Sequence, residues 1–112
     1  MKSRDKVLVI DDDIDFGVAL TYFFADKPFQ LFLANTMHDG MSIMESERPD
    51  HVFLDNGLPD GKGWDNAKAI MALYPDSRLN LISALRMLKP SELVHCILIK
   101  PIRLHDLLGC LN

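Results

Sequence analysis

The chain has 112 residues, which suits one domain and leaves little room for two, so we expect residues 1–112 to form a single domain. Apolar residues make up 48% of the sequence and charged residues 25%, which excludes extensive disorder. The formal net charge of -4 argues against direct binding of nucleic acid through a broad basic face.

The sequence also predicts the compartment. The first residues are charged and lack the apolar core of a signal peptide, and no run approaches the ~18 apolar residues of a membrane span. Cys96 and Cys110 form no C-x-x-C pair, so we expect reduced thiols in or near the core. Together these features predict a cytoplasmic protein without membrane contact.

Five short apolar runs predict buried strands of a parallel sheet. They cover residues 6–10, 29–34, 52–54, 79–82 and 96–99. Each of the four connections between them is long enough for a crossover, which strands of a parallel sheet require.

Helical periodicity fills most of the intervening segments. Apolar residues recur at helical spacing at positions 16, 19, 20, 23 and 24, at 37, 41 and 44, at 64, 67, 71 and 74, and at 104, 107, 108 and 111. Asp13 or Asp15 can cap the first helix, and Thr36 with Asp39 resembles a capping box for the second. Residues 84–95 are the least regular segment, and Pro90 interrupts them.

Strands that alternate with helices imply an α/β fold, a doubly wound parallel sheet with helices on both faces. All carboxyl ends of the strands then lie at one edge of the sheet, where open α/β sheets bind ligands. Four polar features follow predicted strands and should meet at that edge. They are Asp11 with Asp12, Asp55, Ser83 and Lys100.

Carboxylates gathered at one edge make a hard-oxygen site, for which Mg²⁺ is the fitting cation. Asp55 is a plausible nucleophile, since aspartate can form an acyl phosphate. Lys100 would offer a positive charge and Ser83 a hydroxyl to phosphoryl oxygens. Each residue also has a plainer interpretation: the aspartates can favour helix or loop starts, Ser83 a turn, and Lys100 a solvated strand end.

Four stretches of the sequence resemble the receiver domain of two-component response regulators. They are residues 7–13 (Val-Leu-Val-Ile-Asp-Asp-Asp), residues 54–63 with Asp, Pro and Gly at receiver spacing, Ser83-Ala84, and Lys100-Pro101. The resemblance covers nearly the whole chain. It implies the flavodoxin-like, CheY-like strand order 2-1-3-4-5, and a Lys100-Pro101 peptide bond that is often cis.

By this resemblance, Asp55 is the phosphoacceptor, charged by a histidine kinase or a phosphotransfer protein. Asp12 would ligate Mg²⁺ directly, Asp11 mostly through water, and Gly57 through its backbone carbonyl. The domain would then signal through altered contacts with an output protein that the sequence does not identify.

The resemblance further implies that Ser83 follows the phosphoryl group and switches the domain. Ala84 would leave room for the phosphoryl group, and Lys100 would pair with it. The segment from Ser83 to Lys100 is shorter than the family norm, which predicts a shortened or irregular fourth helix. Ile97 stands where receivers commonly place Tyr or Phe. The chemistry is therefore expected to be intact, while the output side departs from the pattern.

Two alternatives remain open. The shortened segment and Ile97 allow a receiver-like interaction module whose phosphorylation is vestigial or absent. Residues 9–13 also match the D-x-D opening of haloacid-dehalogenase-type phosphatases, with Asp11 as nucleophile and Asp13 as acid/base. That enzyme class needs further acidic ligands beyond its lysine, and only Asp106 follows Lys100, so we expect a phosphoacceptor signalling domain rather than an enzyme.

The domain is either a stand-alone receiver or part of a longer protein.

Overall fold

A five-stranded parallel sheet forms the centre of the molecule in a computed structural model, which describes residues 4–84 and 94–111. Its strands are β1 (Asp5–Ile10), β2 (Phe29–Ala34), β3 (His51–Asp55), β6 (Arg78–Ser83) and β7 (Cys96–Ile99). They lie in the order β2-β1-β3-β6-β7, with β1 and β3 paired in the middle. This confirms the strand order 2-1-3-4-5, because β6 and β7 are the fourth and fifth strands of the main sheet.

Alternate residues of the central strands pack against opposite helical layers. Val7 and Val9 of β1 belong to the core cluster that includes residues of α1 (Ile14–Phe24) and α4 (Leu104–Gly109). Leu8 and Ile10 belong to the cluster that includes residues of α2 (Met37–Glu47) and α3 (Ala67–Leu73). Burial on both faces explains why the central strands read as continuous apolar runs.

Side-chain caps begin the first two helices. Asp13 Oδ1 accepts the backbone N–H of Phe16 at 3.1 Å, which begins α1. Thr36 Oγ1 accepts the backbone N–H of Asp39 at 3.1 Å, which begins α2. Both side chains satisfy donors that a helix leaves unpaired at its first turn.

The segment between β3 and α3 has more structure than the sequence predicts. Two short antiparallel strands, β4 (Gly57–Leu58) and β5 (Gly61–Lys62), form a hairpin. A 3₁₀ turn over Gly63–Asn66 then precedes α3. The predicted apolar stripe beginning at Trp64 is therefore split, and Ala67 and Ile70 are the residues that α3 buries.

Further expectations concern the Lys100-Pro101 peptide bond, the two cysteines, membrane spans and the fourth helix. The Lys100-Pro101 peptide bond is cis, as the family resemblance implies. Both cysteines are free, Cys110 buried and Cys96 half-buried. None of the helices within residues 4–84 and 94–111 is long and apolar enough to cross a membrane. The predicted irregularity of the fourth helix concerns residues 84–95, of which 85–93 lie outside the described part of the chain.

Candidate functional site

Backbone hydrogen bonds fix the candidate residues at the carboxyl edge of the sheet. The N–H of Asp11 donates to the carbonyl of Ala34 at 3.0 Å, just beyond β1. The N–H of Lys100 donates to the carbonyl of Ser83 at 2.8 Å, just beyond β7. Asp55 ends β3 and is paired in register with Ile82 of β6. The sheet ladder itself therefore brings these side chains to one edge.

Three carboxylates meet at this edge. Oxygens of Asp11, Asp12 and Asp55 lie within 4.8 Å of one another. Asp11 and Asp55 are buried, whereas Asp12 is exposed. The sequence predicted this grouping, and the described part of the chain contains no second group of this kind.

Lys100 supplies the positive charge beside the carboxylates. Its Nζ lies 3.4 Å from Asp55 Oδ1 and 3.7 Å from Asp11 Oδ2. The lysine side chain is about one-third exposed, so it reaches the buried carboxylates from the solvent side. The arrangement places an ammonium group next to the carboxylate that the sequence predicts as a nucleophile.

The charges at this edge perturb one another. Burial raises the pKa of Asp11, and the nearby Asp55 carboxylate raises it further, against the hydrogen bond that Asp11 accepts from the N–H of Asp13. Burial alone would lower the pKa of Lys100, but the carboxylates of Asp11 and Asp55 outweigh burial and raise it. The site therefore carries negative charge that one lysine does not fully relieve.

The residues present fit a hard divalent cation. Oδ2 of Asp11 is buried and accepts no hydrogen bond within residues 4–84 and 94–111, although it faces the charge of Lys100. An orphaned carboxylate oxygen beside two further carboxylates is the oxygen donor set that Mg²⁺ prefers. Asp11, Asp12 and Asp55 could therefore hold such an ion, with water completing its coordination.

The other predicted site residues lie around this cluster. Ser83 is buried at the end of β6, and Ala84 follows it at the surface. Gly57 lies beside the nucleophile candidate, since a Cβ added there would be 3.8 Å from Asp55 Oδ2. Ile97 is half-buried on β7 and packs against the core. Ser83 and Gly57 therefore lie at or next to the same edge, whereas Ile97, the departure from the family pattern, lies within β7.

Asp13 is occupied elsewhere. Its carboxylate caps α1 through the N–H of Phe16, and it is not part of the three-carboxylate group. The D-x-D interpretation requires Asp13 to act as an acid/base on a substrate held by Asp11. The structure gives Asp13 a structural role that accounts for its position.

Sequence reasoning missed how the loop after Asp55 is held. Asn56 Oδ1 accepts the N–H of Trp64 at 3.2 Å, and the carbonyl of Asn56 accepts the N–H of Gly63 at 3.3 Å. Asp60 accepts two N–H groups of α2. The Asp-Gly pair at positions 60 and 61 signalled a turn, but no local pattern reveals which distant donors such a carboxylate meets.

The fold and the site define a doubly wound α/β domain with an acidic site and a lysine at the carboxyl edge of its sheet. The family model described as "Response regulator receiver domain" matches residues 7–111. The chain belongs to this family, and it is a receiver domain of two-component signal transduction. The resemblance inferred from the motifs is thereby confirmed.

Two curated relatives match this chain over part of their own length. The chain is 28% identical over 112 aligned residues to the acid tolerance regulatory protein ActR of Rhizobium meliloti, covering 94% of this chain and 57% of that protein. It is 28% identical over 81 residues to the sporulation initiation phosphotransferase F of Bacillus subtilis, covering 72% of this chain and 65% of that protein. The chain therefore spans less than two thirds of the length of these relatives.

Solved structures agree with the fold. A two-component response regulator from Clostridium difficile is 25% identical, with a TM-score of 0.85 over 96% of this chain and 93% of that chain. A CheY-like receiver domain protein from Methanospirillum hungatei is 21% identical, with a TM-score of 0.86 over 97% of this chain and 91% of that chain. The second likeness concerns the fold alone.

Proposed function

We propose that Asp55 is the phosphoacceptor of this receiver domain. The observation that carries the proposal is the position of its carboxylate, 3.4 Å from Lys100 Nζ and within 4.8 Å of the carboxylate oxygens of Asp11 and Asp12. A nucleophilic carboxylate between a cation and a potential metal site has what phosphoryl transfer requires, which is positioning and charge neutralisation.

In the proposed transfer, an Asp55 oxygen bonds to phosphorus while the phosphorus–nitrogen bond of a phosphohistidine breaks. The electron pair of the broken bond stays on the imidazole nitrogen of the donor. Lys100 neutralises a phosphoryl oxygen, and the hydroxyl of Ser83 donates a hydrogen bond to another. An open cavity adjoins the site beside Lys100. Its lining also includes Asp11, Asp13, Asp15, Phe16, Pro101 and Ile102.

Asp11, Asp12, Asp55 and the backbone carbonyl of Gly57 would hold Mg²⁺ at the same edge. When bound, the ion would neutralise the carboxylates and supply positive charge for the phosphoryl group. The support from this chain is the orphaned Oδ2 of Asp11 and the clustering of the three carboxylates. Asp55 keeps Oδ1 directed towards Lys100, so the lysine and a metal ion can share the carboxylate.

We infer that the phosphodonor is a histidine kinase or a phosphotransfer protein. The family supports this inference, as does the likeness to a protein named as a phosphotransferase. Phosphorylation would then alter contacts with an output protein. The free thiols of Cys96 and Cys110 favour the reducing cytoplasm as the compartment.

The direct test is the intact mass of the protein after incubation with acetyl phosphate, with and without Mg²⁺. We expect one added phosphoryl group that depends on Mg²⁺ in the wild type and is absent from Asp55→Asn. Asp76→Asn is the matched control, because Asp76 is an exposed aspartate that lies outside both the carboxylate cluster and the cavity beside Lys100. Undiminished labelling of Asp55→Asn would contradict the assignment.

The interaction-module alternative predicts a different result. A domain that acts by binding alone would bind its partner with the same affinity with and without Mg²⁺ and phosphodonor. The absence of any adduct, both from acetyl phosphate and from a phosphorylated histidine phosphotransfer protein, would favour that alternative.

A further inference from the structure

Asp60 connects two segments that are distant in sequence. Its Oδ1 accepts the N–H of Met37 at 2.8 Å, and its Oδ2 accepts the N–H of His38 at 3.0 Å. Both donors belong to the first turn of α2, while Asp60 lies in the β4–β5 hairpin. A carboxylate suits this position, because the free N–H groups and the dipole at a helix start favour negative charge.

These hydrogen bonds lower the pKa of Asp60, so the carboxylate is ionised at neutral pH. Thr36 already satisfies the N–H of Asp39 in the same turn. The cap from Asp60 therefore adds to a local cap and, unlike it, ties α2 to another part of the chain.

Among the described residues, the hairpin that carries Asp60 is also held at its base, where Asn56 bonds to Gly63 and Trp64 and where Asn66 bonds to Lys62. Gly57 pairs with Lys62 and Leu58 with Gly61, so Asp60 lies in the turn at the tip. Leu58 is buried and anchors one strand, whereas Gly57, Gly61 and Lys62 are exposed. The two hydrogen bonds to α2 therefore hold the tip of an otherwise exposed hairpin.

The base of the hairpin adjoins the phosphoacceptor candidate. A Cβ added at Gly57 would lie 3.8 Å from Asp55 Oδ2, so this glycine lies beside that carboxylate. A glycine has more backbone freedom than any other residue, so this stretch depends on its surroundings for a fixed conformation. A small rotation of the hairpin would move the carbonyl of Gly57 relative to the carboxylates.

We propose that Asp60 is a positioning residue that ties the β4–β5 hairpin to α2 and thereby holds the Gly57 carbonyl in place for a divalent cation. This inference rests on the proposed function of the carboxylate cluster as a Mg²⁺ site. Asp60 does not touch the ion. It acts through the backbone between residues 57 and 60.

The test compares the Mg²⁺ affinity of Asp60→Ala with that of Thr36→Ala in the full chain. Thr36→Ala is the matched control, since it removes a cap from the same first turn of α2 without releasing the hairpin. Trp64 is the only tryptophan in the sequence, and its backbone N–H donates to Asn56, the residue after Asp55. Its fluorescence therefore provides the readout of a titration with MgCl₂. Thermal unfolding of both variants reports the loss of the cap independently.

We expect Asp60→Ala to weaken Mg²⁺ binding by about tenfold, the lower end of what loss of a supporting residue costs a metal site. Thr36→Ala should bind Mg²⁺ with wild-type affinity. Both variants should unfold at a lower temperature than the wild type, because each has lost a helix cap. Asp60→Asn keeps one acceptor oxygen and loses the charge, so its affinity should fall between the two. It also serves as the informative variant if Asp60→Ala does not fold.

Wild-type affinity in Asp60→Ala, or an equal loss in Thr36→Ala, would overturn the positioning role while leaving the Mg²⁺ site intact. A wild-type protein that binds no Mg²⁺ would instead overturn the proposed metal site, and the positioning role with it. The two failures are therefore distinguishable in one set of titrations.

Discussion

Lys100 approaches Asp55 along the carboxyl edge of the sheet, with Nζ 3.4 Å from Oδ1. The same Nζ lies 3.7 Å from Asp11 Oδ2, so one ammonium group is shared by two buried carboxylates. Before any cation or phosphoryl group binds, this lysine offsets part of the repulsion between the two carboxylates. Removal of the lysine side chain should therefore strengthen cation binding and slow phosphoryl transfer.

We predict that Lys100→Ala binds Mg²⁺ more tightly than the wild type, because the carboxylates lose the charge that offsets their repulsion. The gain should be only about two- to fivefold, because a partly exposed ion pair contributes little free energy. The same variant should accept phosphoryl groups more slowly, on the order of 100-fold, because a charge that stabilises the transition state is lost. Mg²⁺ titration and the rate of the mass shift with acetyl phosphate measure the two effects. Lys68→Ala, at an exposed lysine of α3, is the control. Unchanged phosphorylation of Lys100→Ala would exclude the proposed role of the lysine.

The Asp11 carboxylate should destabilise the metal-free protein. Burial and the nearby Asp55 carboxylate raise its pKa, which means that the ionised form is disfavoured in the folded state. We predict that Asp11→Asn raises the free energy of unfolding by about 1 kcal/mol without Mg²⁺. An Asn Oδ1 can still accept the N–H of Asp13, a bond of 2.9 Å in the structure.

Urea unfolding with and without Mg²⁺ measures this effect. Mg²⁺ should stabilise the wild type by mass action and Asp11→Asn much less, since a ligand is lost. If Asp11→Asn destabilises the metal-free protein, the carboxylate is not a source of repulsion and this interpretation of the cluster is wrong.

The sequence was sufficient to predict the sheet and its carboxyl edge. Apolar runs of strand length alternate with helical periodicity, and right-handed crossovers leave one arrangement of the strand ends. The grouping of Asp11, Asp55 and Lys100 follows from that topology, because Asp11 and Lys100 directly follow strands and Asp55 ends one. Both faces of the sheet are covered, which is why the apolar runs were unambiguous.

The attachments of the loop after Asp55 could not be predicted in the same way. Asp60 meets its donors 22 and 23 residues away, and Asn56 meets Trp64 across the hairpin. Such contacts depend on the tertiary position of a turn, which local propensity does not determine. The 3₁₀ turn at Gly63–Asn66 was missed for a related reason, since it results from the close approach of Gly63 to the end of β3.

Gly63 is required by this close approach. A Cβ at position 63 would overlap the backbone oxygen of Asp55 and crowd the side chain of Leu54. We predict that Gly63→Ala lowers the free energy of unfolding by about 1 to 3 kcal/mol, as overpacking of a core does. It should also slow phosphorylation, because the displaced backbone carries Asp55.

Gly109→Ala is the matched control for this substitution. No described atom outside its own helix backbone and adjacent residues lies within 4 Å of a Cβ at position 109, near the end of α4. Alanine has the higher helix propensity, so this variant should be as stable as the wild type or more so. Comparable unfolding free energies for the two variants would show that the backbone at Gly63 can move without cost.

His51 should make the fold sensitive to acid at the opposite edge of the sheet. It begins β3 and is buried, with Nε2 3.3 Å from Asp5 Oδ2. Its Nδ1 is buried and meets no hydrogen-bond partner among the residues that the structure describes. Burial lowers the pKa of His51 below its usual 6.5, although the Asp5 carboxylate acts against this shift. A protonated ring would bring a charge and an unpaired N–H into the core.

The folded state therefore binds this proton more weakly than the unfolded state does. The resulting stability is fully present above pH 6.5 and is lost as the pH falls through the lowered pKa of the folded state. We predict that His51→Gln, which cannot titrate, loses less stability than the wild type between about pH 7.5 and about pH 5.5. Urea unfolding across this range measures the difference, and His105→Gln at an exposed position of α4 is the control. An identical pH dependence of wild type and His51→Gln would mean that His51 does not contribute to acid sensitivity, and the carboxylates alone would then account for it.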